Sequence, residues 1–477
     1  MSPETCNGGL VTLLHLSLRM LGLWGSADRG RGRVLRCGVP ERRGSALSTL
    51  LGFVDHERRR AMISDKSVLD RARLRELFDL RGEHHVDSGA GYRDDPYPIW
   101  RRLREEAPVH PGTVHDLTGY NAPLVFQGLP YPDRPHFSTF TYEVADDALR
   151  DQKLFASAPG TVDPVGGELA PLNSMLTMGG AQHRRYRSLV QPSFVPAKAQ
   201  WWVSKWTEQT VHRIIDSFVD DGRADLNLDF CAPVPVLTIT GSFGIPVDQA
   251  LDLRASLTNP AEMVKIVSPI VRSRRESLED DLISTLVDAE IADEDGSRHR
   301  LSDPEINSFA LLLLAAGSGT TWRQMGITLT ALLQRPGLLQ AVRNDRELLK
   351  AAIEESVRWM PTNPMFSRFV TEDVDFYGSH LPRGSLLHLC LGAGSRDPAR
   401  WERPEEFDAT RPPRPALGFG GGPHVCLGMH VARATMQVGI GALLDRLPNL
   451  RLDADAEPPA FLGMYHRGVT AVPVVFG

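Results

Sequence analysis

The chain has 477 residues, 42% of them hydrophobic, enough to bury a large core in one big domain or two ordinary ones. A formal net charge of −6 gives no reason to expect a nucleic-acid partner. The five cysteines (Cys6, Cys37, Cys231, Cys390 and Cys426) are odd in number and scattered, without a C-x-x-C pair. That sets aside a disulfide framework or zinc site and points to a reducing, cytoplasmic compartment.

Residues 1–61 differ in composition from the rest of the chain. Gly9 to Trp24 is apolar but broken by His15 and Arg19, and Met1 to Asn7 carries no basic side chain, so a secretory signal is not indicated. Ala27 to Arg60 is rich in arginine and glycine and has no periodic apolar face. The segment holds ten Arg/Lys against five Asp/Glu, whereas the 416 residues from Met62 hold 43 against 54 and are distinctly acidic. The expected organisation is a disordered or over-extended leader at 1–61 and a catalytic domain at 62–477. An interfacial membrane helix at 9–24 is the minority reading, and no uncharged apolar run is long enough to span a bilayer.

In chain order, Tyr92-Arg93-Asp94-Asp95-Pro96-Tyr97-Pro98-Ile99-Trp100 leads into an amphipathic stretch from Arg101 to Pro108. His183 and Arg187 stand one helical turn apart in a basic run whose bland reading is a solvated face. Ser302-Asp303-Pro304-Glu305 has the form of a capping box. Apolar and small residues then continue to Leu333 and stop before Pro336, predicting one helix of about thirty residues, roughly 45–50 Å long. At its centre lies Ala315-Ala316-Gly317-Ser318-Gly319-Thr320-Thr321. Glycines inside a helix cost about 1 kcal/mol each relative to alanine, so the cluster calls for a reason. Either close approach of a ligand or a helix-packing notch supplies one.

Glu355 and Arg358 form an i, i+3 pair on a helix that ends before Pro361. Phe366-Ser367-Arg368-Phe369-Val370 reads as a strand with one basic residue, and a proline-rich passage through Arg411-Pro412-Pro413 comes after it. Then comes the most specific stretch, Phe419-Gly420-Gly421-Gly422-Pro423-His424-Val425-Cys426-Leu427-Gly428, ahead of a helix-forming run from Met429. Backbone N–H groups and the positive end of that helix can hold a thiolate at Cys426. The glycines let a flat ligand such as a heme lie against the backbone. His424 is placed to reach an anionic group at the ligand's edge. The missing Gly-Lys-Ser/Thr ending weakens the reading as a phosphate loop, the usual alternative beside an inert buried cysteine.

This stretch matches the cysteine-ligand loop of the cytochrome P450 family, F-G-x-G-x-H-x-C-x-G, and the chain from about Tyr92 to Phe476 resembles that family throughout. The resemblance implies a mainly α fold with a smaller β region, a triangular helical domain around a buried heme b. It makes Cys426 the axial metal ligand, with Phe419, Gly428 and Ala316 against the cofactor. His183, Arg187, Arg368 and His424 would hold the two propionates. Glu355 and Arg358, with Arg411 as a third member, resemble the family's structural network. Tyr92 to Pro108 looks like its first helix. The central helix matches A/G-G-x-D/E-T-T with one departure, Gly319 in place of the acid.

The activity so implied is that of a bacterial-type monooxygenase inserting oxygen from O2 into a hydrophobic small molecule. A separate ferredoxin or flavodoxin with its reductase would supply electrons, and neither nucleic acid nor stable membrane insertion is expected. Thr320 would hold the group that receives protons, and Gly319 alters their delivery. Substrate would lie against Leu312, Ala316, Pro364, Met365, Phe366 and the turn at Tyr465-His466, beneath a lid containing Met175 and Leu176. Electron partners would dock on the cysteine side near an exposed Arg433. A peroxide-driven or isomerase-type enzyme, and a non-catalytic heme-binding protein on the same fold, are the alternatives.

Overall fold

The computed structural model describes residues 70–82, 92–120, 131, 133–157, 174–257, 259–292 and 296–477. The leader at 1–61, and the helix weighed at 9–24, lie outside the described residues. Two helices open the described chain. The first, α1 (Arg71–Phe78), is capped by Asp70, which accepts from Ala72 N–H at 2.9 Å, and it buries Leu74, Leu77 and Phe78. It precedes the expected helix, here α2 (Tyr97–Glu106), so α2 is not the first. Eight residues with only three large apolar side chains gave α1 too short a periodic signal to be read.

A five-stranded sheet runs β1 (His110–Pro111), β2 (His136–Thr139), β5 (Leu386–Cys390), β4 (Met365–Val370), β3 (Phe155–Ala156) in spatial order. Strands β2 and β5 are parallel, and the other neighbours are antiparallel. All five residues of β5, the central strand, are buried. The β5–β4 register sets His388 opposite Ser367 and Leu387 opposite Arg368, so Arg368 and Ser367 face opposite sides of the sheet.

The helical part surrounds two apolar clusters. It includes α3 (Tyr142–Arg150), α4 (Gly180–Val190), α5 (Pro233–Ser242), α6 (Asp303–Gly319), α7 (Thr321–Leu333), α8 (Arg346–Trp359) and α9 (Met429–Arg446), among others. Helix α7 is buried on every side, Thr321 to Leu333, which marks it as the core helix of the larger cluster. Helix α6 belongs to the second cluster through Ile306, Phe309, Ala310, Leu313 and Leu314. Its start is the expected capping box, with the Glu305 carboxylate accepting from Ser302 N–H at 2.8 Å and from its hydroxyl at 2.7 Å. The architecture is the mainly α fold with a small β region that the sequence predicts. No helix among the described residues is long and apolar enough to cross a membrane.

Candidate active site

The cysteine loop is shaped by its neighbours. Gly422 has φ +61°, and a Cβ there would stand 2.1 Å from the Leu149 carbonyl oxygen of α3, so no side chain fits. Cys426 N–H donates to the Phe419 carbonyl at 2.9 Å, closing the loop just before α9 begins. Cys231 and Cys390 are 0% exposed in the core, whereas Cys426 is only partly covered. Burial still raises the Cys426 thiol above its usual range, against the pull of the Gly428 and Met429 N–H groups and the charges of Arg187 and Arg433.

Four donors expected to be anion-binding are brought together. The rings of His183 (α4) and His424 lie 3.9 Å apart at 28°, and His183, Arg368 and Arg187 all act electrostatically on His424. Burial first, then Arg187 and Arg184, push His183 down to about 4, and burial first, then His183, Arg368 and Arg187, push His424 to about 3. Both ring nitrogens of His183, Nε2 of His424 and Nε of Arg368 are buried without a hydrogen-bond partner among the described residues. Buried polar groups are rarely left so. Adjacent orphaned donors beside a cysteine loop fit a prosthetic group that carries carboxylates and offers iron to the sulfur. Arg187 also donates to the Val425 carbonyl at 2.8 Å, tying α4 to the residue before Cys426.

The central helix departs from expectation. Instead of one continuous helix to Leu333, α6 ends at Gly319 and α7 starts at Thr321, with Thr320 (φ −98°, ψ −44°) between them. The physical reason is competition for carbonyls. The Thr320 hydroxyl donates to the Ala316 carbonyl at 2.9 Å, and the Arg323 guanidinium donates to the Gly319 carbonyl. Gly317 is the packing notch, since a Cβ there would lie 2.9 Å from Ile239 Cγ1 of α5. Gly319 is not one, because a Cβ there meets only Arg323 Nη1, at 3.9 Å. Ala316 and Thr320 stand one turn apart, joined by that hydroxyl contact, and Ala316 is exposed.

The buried pair on α8 is as expected. Arg358 donates to both Glu355 carboxylate oxygens at 2.8 and 2.7 Å, and to the carbonyls of Ser395, Pro404 and Glu406 at 3.0, 2.8 and 2.9 Å. Arg411 joins through Nε, 3.4 Å from Glu355. These contacts fasten the proline-rich passage to α8. The Val357 carbonyl of the same helix lies against Gly418, where a Cβ would come within 2.4 Å, so α8 also sets the base of the cysteine loop.

The candidate substrate contacts are dispersed. Met175 and Leu312 pack in the second apolar cluster with Leu427 and Val431, which flank Cys426. Met365 and Tyr465 sit in the larger core at 1% and 2% exposure, Phe366 packs with a third cluster, and Leu176 is exposed. Arg433 is not a free surface cation: it pairs with Glu354 and stacks 4.7 Å from the Phe419 ring centroid. Two features escaped the sequence reading. A cleft is lined by Met178, Tyr186, Glu305, Ser308 and Phe309 beside Met175, with the Tyr186 hydroxyl donating to Glu305 at 2.7 Å. Arg323 grips the helix break, and its i, i+4 spacing from Gly319 was the only available signal.

Comparison with known proteins agrees with this geometry. A family model described as Cytochrome P450 matches residues 256–464. The chain is 32% identical over 411 residues to the cytochrome P450 monooxygenase PikC of Streptomyces venezuelae, covering 81% of this chain and 92% of that protein. It is 30% identical over 400 residues to a methyl-branched lipid omega-hydroxylase of Mycobacterium tuberculosis, covering 78% and 89%. Among solved structures, the Bacillus subtilis bacillaene polyketide synthase cytochrome P450 PksS superposes with a TM-score of 0.70 at 26% identity, covering 80% and 97%. P450BioI in complex with an acyl carrier protein ligated to hexadec-9Z-enoic acid gives 0.68 at 26%, covering 80% and 99%.

Proposed function

Because the chain belongs to the cytochrome P450 family and is a monooxygenase carrying heme b on a cysteine thiolate, we propose that Cys426 is that thiolate and that the substrate is a hydrophobic small molecule. The observation that carries the assignment is the set of orphaned donors at His183, Arg368 and His424 next to the Cys426 loop. Heme held through a thiolate would supply the dioxygen chemistry. His183, Arg187, Arg368 and His424 bind the carboxylate edge of the cofactor. Phe419 and Gly428 bound it on the cysteine side. Ala316, exposed on α6, would leave room for the cofactor, and the Thr320 hydroxyl at the helix break would hold a water that passes protons onward. Gly319 has no titratable group, so protons travel by water rather than by a carboxylate.

Leu312, Met175, Leu176, Met365, Phe366 and Tyr465 are proposed to shape the apolar substrate space. The lipid and polyketide words in the names of the relatives, and the acyl chain in the P450BioI complex, support a long apolar substrate. Electrons come from a separate ferredoxin or flavodoxin and its reductase, residues 62–477 form the catalytic domain, and the reducing cysteine pattern supports a cytoplasmic site. The test is a screen of fatty, terpenoid and macrolide compounds for a shift in heme spin state, followed by turnover with O2 and a reductase pair. Hydroxylated product that requires both O2 and electrons is expected. Equal turnover driven by hydrogen peroxide alone would overturn the O2-dependent route.

A further inference from the structure

The opening between α6 and α7 needs something to hold it. A helix interrupted for one residue leaves carbonyls without their ladder donors, and buried carbonyls find others. Ala316 is served by the Thr320 hydroxyl, and Gln324 N–H still reaches the Thr320 carbonyl at 3.1 Å. The Gly319 carbonyl is served by Arg323 Nη1. Arg323 is 3% exposed, and its guanidinium carbon lies 4.6 Å from the Trp322 ring centroid. Its stem fills the space beside Gly468, where a Cβ would come within 3.0 Å of Arg323 Cγ. The group is thus fixed along its whole length.

Burial first, and the nearby Arg254 charge next, lower its pKa to about 9. Methionine would fill the same stem without burying a charge, so space-filling does not explain a guanidinium here. At 319 itself a Cβ would find only Arg323 Nη1, at 3.9 Å. The guanidinium therefore borders the place that a longer side chain at 319 would enter.

We infer that Arg323 is a positioning residue for the monooxygenase reaction: by clamping the Gly319 carbonyl it holds the helix open at Thr320 and fixes where the Thr320 hydroxyl points. This rests on the role proposed above for Thr320. Arg323 reaches the backbone at Gly319, so the role assigned to it is exerted through Thr320.

The test uses the holoenzyme as wild type, Arg323→Met, Arg323→Gln and Arg323→Lys, each with and without Thr320→Ala. Two quantities are read: hydrogen exchange of peptides spanning 316–324 against those spanning 346–359, and the share of reducing equivalents released as hydrogen peroxide. Arg323→Met should speed exchange in 316–324 by about tenfold, the worth of one hydrogen bond from a charged donor, and leave 346–359 unchanged. It should raise the peroxide share severalfold, yet add nothing to it once Thr320 is alanine, because the two act in series. Arg323→Lys keeps a charged donor and should restore most of the coupling. If Arg323→Met fails to take up heme, Arg323→Gln, whose amide is too short to reach the carbonyl, decides by the same readings. An unchanged peroxide share, or an increment that persists beside Thr320→Ala, overturns the inference and leaves the Thr320 reading standing. A Thr320→Ala enzyme that leaks no extra peroxide overturns both.

Discussion

Replacing Arg358 by methionine tests what fastens the cysteine loop to the rest of the fold. Arg358 is 2% exposed and its partner Glu355 is 5% exposed, so the substitution strands a buried carboxylate. Breaking a buried pair from one side costs about 3–5 kcal/mol. The carbonyls of Ser395, Pro404 and Glu406 lose their donor as well, each worth about 1 kcal/mol where water cannot replace it. Glu355 keeps Asp408 N–H at 2.9 Å and the longer contact from Arg411, which softens the loss. A destabilisation of about 5 kcal/mol is expected, a large share of the 5–15 kcal/mol typical of a domain. Urea unfolding followed by tryptophan fluorescence and by heme absorbance measures it, and heme release should precede global unfolding. Arg358→Lys should recover less than half, since one ammonium cannot reproduce a planar fork serving five acceptors. An Arg358→Met protein within about 1 kcal/mol of wild type, with full heme content, would show that the pair does not fasten the loop.

Three further outcomes are expected. His388 is held neutral, its pKa lowered to about 3 by burial first and by His136 next. His136 Nε2–H donates to the Tyr131 carbonyl, which orients the chain Ser367 to His388 to His136 in one direction. The unfolded chain takes up this proton below about pH 6.5 and the folded one does not, so stability is full above 6.5 and falls by about 2 kcal/mol at pH 5; His388→Asn should flatten urea midpoints across that range, and an unchanged slope would contradict it. Gly422→Ala forces a Cβ onto the Leu149 carbonyl at a φ that adds about 1–3 kcal/mol of strain, and its heme-to-protein ratio should drop sharply; full heme content would show that the loop yields instead. A chain beginning at Met62 should retain heme and its substrate-induced spectral shift, and loss of heme on that truncation would assign residues 1–61 to the fold.

Much of the site was legible because its chemistry is local in sequence. The cysteine loop, the capping box at Ser302 and the Glu355–Arg358 pair are each set within ten residues, and each forms as the spacing predicts. His183, Arg187 and Arg368 were reachable only by resemblance, because their meeting with His424 depends on how α4 and β4 pack. What periodicity could not convey is competition between side chain and backbone. A run of small and β-branched residues reads as continuous helix, yet the Thr320 hydroxyl and the Arg323 guanidinium take the carbonyls and open it. Exposure was similarly out of reach. Arg433 looks like a docking charge until Glu354, far away in sequence, is found beside it.

The most direct test of Cys426 as the iron ligand is the absorbance spectrum of the reduced carbon monoxide complex, recorded for Cys426→Ala and for Cys6, Cys37, Cys231 and Cys390 each replaced singly. Among the described cysteines, Cys426 alone stands partly uncovered, in a loop beside the four gathered donors, while Cys231 and Cys390 are sealed in the core. The red-shifted Soret band of a thiolate-ligated heme should disappear in Cys426→Ala alone and survive in the other four proteins. Persistence of that band in Cys426→Ala, or its loss on replacing any other cysteine in a folded protein, would contradict the assignment.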